Sequence, residues 1–315
     1  MNKIYFLAPA ISFTSGVILM FVLIPLLRRL HFGQPVREEG PKAHLSKNGT
    51  PTMGGIGIMI ALIAGSIAFV RDLDMIVILV ITFIFAIIGL LDDSLKIIKK
   101  QSEGLKAWQK MAFQIIAAAA LVLYVGLATD NGTQTIIPFY GIIDLKGWFY
   151  PIAFVAVLGT VNGANFTDGV DGLSSSVTSI ICVFLAFASC ALGAGYEPLA
   201  LAMAGALIAY YLFNAYPAKI FMGDTGSLAM GGFVAAMALM MKIPVFLIIF
   251  ALIYVVEILS VILQVGYFKL THGKRLFKMA PIHHHFELSG FSETKTVALF
   301  DVVTVICCLI AYIAL

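Results

Sequence analysis

The chain has 315 residues, of which 61% are hydrophobic and only 12% charged, with a formal net charge of +3 and a mean hydropathy of +1.00. Soluble domains carry roughly a quarter charged residues, so an ordinary soluble domain is excluded. The basic residues are not in large excess, and no nucleic-acid partner is expected.

Apolar residues run the whole length of the chain, which predicts a single all-α domain over residues 1–315, a polytopic membrane protein. A transmembrane barrel would show short alternating segments, and none occur. A membrane helix needs about 20 mostly apolar residues. Ten segments meet that pattern, at 5–27, 53–70, 74–91, 107–127, 149–165, 173–192, 198–213, 226–241, 243–265 and 296–314. The first is too long for a signal-peptide core and no cleavage site follows it, so it is read as a retained span. The fifth ends in Asn162 and Asn165, and the ninth has apolar sequence enough to run on to Leu270. Between the fourth and fifth, residues 129–148 read as an ordered loop, with Pro138 and Gly141 marking the turns of a short hairpin. Cys182, Cys190, Cys307 and Cys308 all lie in apolar runs without metal-type spacing, and are read as packing residues.

Orientation follows from the basic residues. The odd-numbered loops hold Arg28, Arg29, Arg37, Lys42, Lys47, Lys96, Lys99, Lys100, Lys106, Lys219, Lys269, Lys274, Arg275, Lys278 and Lys295. The even-numbered loops hold only Arg71, Lys146 and Lys242. The odd loops should face the cytoplasm, with both termini extracytoplasmic and the protein in the inner (plasma) membrane.

The polar clusters fall on the same odd loops. The first carries His44, Lys47 and Thr50-Pro51-Thr52-Met53-Gly54-Gly55; the second opens with Asp92-Asp93 and reaches Lys96. The third runs from Asn162 through Asn165 and Asp168 to Asp171; the fourth holds Asn214 and Phe221-Met222-Gly223-Asp224-Thr225-Gly226-Ser227; the fifth holds His283-His284-His285. A one-sided cluster drawn from five loops is what a cytoplasmic catalytic face needs.

Adjacent carboxylates at 92 and 93 repel and call for a cation, either a divalent metal or Lys96. If the third loop is helical, Asn162, Asn165 and Asp168 share a face that can bind a sugar, a base edge or metal-bound water. Oxygen-only ligation by Asp92, Asp93 and Asp224 suits Mg²⁺ or Mn²⁺. Three consecutive histidines on a loop do not converge on one ion, so they read as phosphate donors or proton carriers rather than a zinc site. Glu257 and Asp301 lie inside spans and are left open; Gln264 is a candidate polar contact. The class that fits is metal-assisted phosphoryl transfer between a soluble donor and a lipid phosphate.

These motifs resemble the polyprenyl-phosphate N-acetylhexosamine-1-phosphate transferase family, from Pro51-Thr52-Met53-Gly54-Gly55 through Asp92-Asp93 and the 162–171 block to Phe221-Met222-Gly223-Asp224. Ala280-Pro281-Ile282-His283-His284-His285-Phe286-Glu287 is similar to the branch that uses phospho-MurNAc-pentapeptide. The resemblance implies ten spans, Mg²⁺ dependence and a homodimer. It also implies UDP-MurNAc-pentapeptide and undecaprenyl phosphate as substrates, with lipid I and UMP as products. It places Asp92, Asp93, Asp224 and His283 in catalytic positions, with Asp224 the principal metal ligand and Phe221 stacking uracil. Lys96, Asn162, Asn165, Asp168, Asp171, Asn214, Gly223 and Ser227 line the nucleoside-sugar region, and Lys47, Thr50, Gln264, His284 and His285 are further contacts. Two other readings stand beside it. One is a sister transferase that takes UDP-GlcNAc; the other is a transporter, which predicts charges at mid-membrane rather than at one interface.

Overall fold

The computed structural model describes residues 3–30, 49–99, 101 and 103–315. Lys47, with Arg37, Lys42 and His44, lies outside the described residues. Twelve α-helices occur among those described: α1 Leu7–Arg29, α2 Gly55–Ser66, α3 Leu73–Lys99, α4 Ala107–Ala128, α5 Phe149–Thr167, α6 Leu173–Leu192, α7 Glu197–Asn214, α8 Gly223–Met240, α9 Leu247–Phe250, α10 Leu252–Leu270, α11 Ile282–Glu287 and α12 Glu293–Ile313. The expected hairpin is present as β1 (Gln134–Ile137) and β2 (Gly141–Asp144), antiparallel, with Gln134 opposite Asp144.

Eight of the helices are long and apolar enough to cross a membrane, where the sequence pattern predicts ten spans. The second predicted span is only 12 residues of α-helix, continued by a tighter turn over Ile67–Phe69. The eighth, α8, opens with Gly, Asp, Thr, Gly and Ser, which dilute its hydropathy. The ninth breaks at Ala251, so a single turn (α9) precedes α10, which does run to Leu270.

α8 is the axis of the bundle: from Thr225 to Met240 every residue is buried. Its small residues let neighbouring backbones close on it, the usual means of helix packing where lipid supplies no hydrophobic drive. A Cβ on Gly231 would meet the Val161 Cα of α5 at 2.6 Å, and one on Gly89 of α3 would overlap the Asp224 carbonyl oxygen. α1 shows the opposite case. Ala8, Ser12, Gly16, Met20, Ile24 and Leu27 form one buried stripe, while Phe21 and Val22 on the other face are 66% and 64% exposed, as a lipid-facing helix requires.

The bundle has two distinct ends. At one, the Phe139 N–H donates to the Ala314 carbonyl, Lys242 reaches Gln134, and Arg71 lies over the Tyr5 ring. There Asp74 accepts hydrogen bonds from Tyr124 (2.8 Å) and Tyr196 (3.2 Å), and burial, then the Asp74 charge, raises the Tyr196 phenol. The other end gathers the acids.

Candidate active site

α3 ends at this second pole, and α8 begins there. Ligand oxygens of Asp92, Asp93 and Asp224 lie within 4.8 Å of one another. The three carboxylates have different work. Asp93 is 1% exposed and caps α8: its oxygens accept from the Asp224 N–H (3.1 Å), the Thr225 N–H (2.9 Å) and the Thr225 hydroxyl (2.7 Å). A helix start leaves N–H groups unpaired and carries partial positive charge, so a carboxylate from a neighbouring helix is well placed there. Gly223 makes the close approach possible. It has φ +72°, and a Cβ there would sit 2.5 Å from Asp93 Oδ2.

Asp224 is held from three sides. Asn165 Nδ2 donates to Oδ1 at 2.7 Å, and the ammoniums of Lys96 and Lys110 both donate to Oδ2 at 2.8 Å. Asn165 also donates to Ser227 at 2.8 Å. Asp92 takes the Leu105 N–H at 2.8 Å through one oxygen and Lys96 at 2.7 Å through the other. Lys96 thus lies 2.7–3.5 Å from oxygens of all three acids.

The donor set fits Mg²⁺: carboxylate oxygens only, closely spaced. Two carboxylates are the usual protein share of such an ion. Asp93 is engaged on the α8 amides, so Asp92 and Asp224 are the pair that would hold it.

α5 stays helical through the predicted loop, so Asn162 and Asn165 lie on one face and Asp168 caps the helix. Asn162 donates to Gln114 of α4 (2.7 Å) and to the Leu158 carbonyl (2.9 Å). Burial, then the charges of Asp224, Asp93 and Asp171, hold the Asp168 carboxyl well above the ordinary range. Asp171 accepts from the Ala218 N–H at 2.9 Å.

Asn214 is 4% exposed and knits three segments, accepting from the Gly172 N–H (3.0 Å) and Ser175 and donating to the Ile220 carbonyl (3.0 Å). Phe221 is half-buried, its backbone paired with Pro51 and Gly54 beside Thr50. Gln264 binds the backbone of Leu276 and Phe277, so it ties the 271–281 segment to α10.

The three histidines lie on a six-residue helix rather than a loop, and each has its own neighbours. His283 is wholly buried, with Nδ1 at 3.1 Å from both oxygens of Glu257. His284 Nδ1 faces Glu287 at 2.7 Å, and His285 Nδ1 accepts the Lys278 N–H at 3.2 Å. His283 leans on the 168–172 turn. A Cβ on Gly169 would overlap its Nε2, so Gly169→Ala should displace the ring or the turn at a cost of about 1–3 kcal/mol. Thermal unfolding of the purified variant, with turnover measured alongside, checks it; a wild-type melting temperature with wild-type turnover refutes the contact.

Sequence reasoning assigned no role to Lys110, to Thr225 or to the Gly104-Leu105 backbone on Asp92. Lys110 did carry a signal, as a lone base one turn inside an apolar helix. The other two contacts are made by backbone and a hydroxyl, which leave no trace in composition.

Comparison with known proteins identifies the family. The profile described as glycosyl transferase family 4 matches residues 75–242. A phospho-N-acetylmuramoyl-pentapeptide-transferase of Clostridium perfringens strain SM101 is 49% identical over 313 residues, 98% of this chain and 96% of the relative. Proteins of the same name from Clostridium novyi strain NT and Clostridium botulinum strain Alaska E43 are each 47% identical, over 97% and 100% of this chain and 95% and 98% of their own lengths. The chain belongs to glycosyl transferase family 4, among the members named phospho-N-acetylmuramoyl-pentapeptide-transferase.

Proposed function

We propose that the protein transfers phospho-MurNAc-pentapeptide from UDP-MurNAc-pentapeptide to undecaprenyl phosphate, giving lipid I and UMP. The observation that carries this is the convergence of Asp92, Asp224, Lys96, Lys110 and Asn165 at one end of an apolar bundle, in a chain nearly half identical to transferases of that name. Two ammoniums against three acids leave the cluster net negative, so a diphosphate would need a divalent cation beside it to bind there. Mg²⁺ bound by Asp92 and Asp224 would polarise the diphosphate oxygens and stabilise the charge that develops on them.

In the step itself an oxygen of the lipid phosphate attacks the sugar-bearing phosphorus. The bond to the bridging oxygen breaks, and UMP leaves with that electron pair. Asp92 accepts the lipid phosphate's proton where one is present, and Lys96 and Lys110 neutralise charge on the donor. Phe221, Asn162, Asp168, Asp171 and Asn214 frame the nucleoside-sugar side. The apolar tail of the acceptor has room in a groove of about 510 Å³ lined by Ile152, Val155, Gly159 and Leu259; α5 carries both that groove and Asn165. A phospho-aspartate trapped at a competent rate with donor alone would replace this direct attack by a two-step route.

The charge bias of the loops supports a single domain crossing the inner membrane ten times, α2 and α8 included, with the acid end cytoplasmic and both termini outside. The assembly proposed is a homodimer.

The test is UMP release. It should occur with UDP-MurNAc-pentapeptide and undecaprenyl phosphate, stop on chelation and return with Mg²⁺. Release with UDP-GlcNAc and not with the pentapeptide donor would transfer the chain to the sister activity.

A further inference from the structure

Glu257 is a carboxylate inside α10, 0% exposed, and the transfer step as written above does not use it. Such a group is costly in a membrane and has to be matched by a partner. Its partner is His283, also 0% exposed, whose Nδ1 stands 3.1 Å from each of the two Glu257 oxygens. Equal distances describe one N–H shared between two acceptor oxygens.

The surroundings of the other ring nitrogen favour the same tautomer. Nε2 is buried and has no hydrogen-bond partner among the described residues. It faces Gly169, where the absence of a side chain leaves it room. A proton on Nε2 would be a buried donor with nothing to receive it, the costliest arrangement of the ring. A lone pair on Nε2 suffers less and is ready to accept.

We propose that Glu257 is a positioning residue, fixing His283 as the Nδ1–H tautomer so that Nε2 presents a bare lone pair to a hydroxyl or amide donor on the substrate. The inference rests on the transfer reaction above. The hydrogen bond at one imidazole nitrogen decides what the other can do. Here that hydrogen bond comes from a helix within the bundle to a ring on the short helix α11. Glu257 therefore acts through His283 and does not touch substrate. Gly169 lies against Nε2, so contact with substrate there requires the turn to give way.

The experiment uses the full chain labelled with ¹⁵N-histidine, with the His283 resonances assigned by loss in His283→Asn. In the wild type, Nδ1 should be protonated and Nε2 bare, and UDP-MurNAc-pentapeptide should shift the Nε2 resonance. In Glu257→Gln the amide can donate as well as accept, so the tautomers mix; kcat should fall about 10- to 100-fold with KM within about twofold. A wild-type Nε2 that carries the proton overturns the proposal, as does a folded Glu257→Gln with wild-type kcat. If the variant does not fold, the wild-type spectrum still decides. A wild type that releases no UMP defeats the transfer reading instead and leaves the tautomer measurement standing.

Discussion

Asp224→Asn should lower the rate of UMP release by at least about a thousandfold while leaving the melting temperature nearly unchanged. The substitution is isosteric, and the amide oxygen can keep one hydrogen bond. What it loses is the charge that two ammoniums and Asn165 now share at 2.7–2.8 Å. Lys96 would still have Asp92 at 2.7 Å, but Lys110 meets no second carboxylate among the described residues. The metal pair would be reduced to one acid. Stability should survive because α8 is capped through the backbone N–H of residue 224, not through its side chain.

The neighbouring variant gives the contrast. Asp93→Asn turns an acceptor-only carboxylate into a group with one acceptor oxygen, against three donors from residues 224 and 225. Loss of a helix cap costs roughly 0.5–2 kcal/mol. Asp93→Asn should therefore lower both the melting temperature and turnover, where Asp224→Asn lowers turnover alone. Measuring the two variants side by side separates a structural acid from a reacting one. An Asp224→Asn protein that retains more than a tenth of wild-type turnover would remove Asp224 from the chemistry.

The division of labour between these acids was not legible in the sequence, although their convergence was. Asp92-Asp93 and Asp224 lie more than a hundred residues apart, and their common position on basic loops and the family resemblance linked them. Charge bias carries information about side, because Lys and Arg sort across a membrane. It carries none about which carboxylate turns toward a helix start. The same limit explains Gln264 and Asn214. Gln264 is a candidate contact from its place near the inner end of a span and Asn214 one from the family resemblance, and in the fold both amides also hold backbone segments in place. Local hydropathy and tertiary packing part company at α8. α8 is the most deeply buried helix but is no more apolar than its Gly, Ser and Asp allow, since its neighbours and not lipid surround it. The retained helicity of residues 162–167 was visible only as a conditional face of Asn162, Asn165 and Asp168. The fold realises that face because α5 packs along α8 to the depth of Asp224.

That packing makes a second large effect predictable away from any charge. Gly89 of α3 sits one turn before Asp92 and Asp93 and directly against the first turn of α8. A Cβ at residue 89 would overlap the carbonyl oxygen and carbon of Asp224 and the Thr225 nitrogen. These are backbone atoms of a capped helix start and have no rotamer to adopt, so the helices themselves must part. Gly89→Val should cost upward of about 1–3 kcal/mol by overpacking. It should also carry Asp92 and Asp93 away from Asp224, and a displacement of roughly 1 Å at reacting groups is worth about a hundredfold in rate. Gly266 on α10 is the matched control: nothing lies within 4 Å of its added Cβ, so Gly266→Ala should gain helix propensity and leave the melting temperature level or slightly raised. The decisive comparison is UMP release per folded molecule. If Gly89→Val, folded and purified, turned over within threefold of wild type, the α3–α8 contact would not be what registers the three acids.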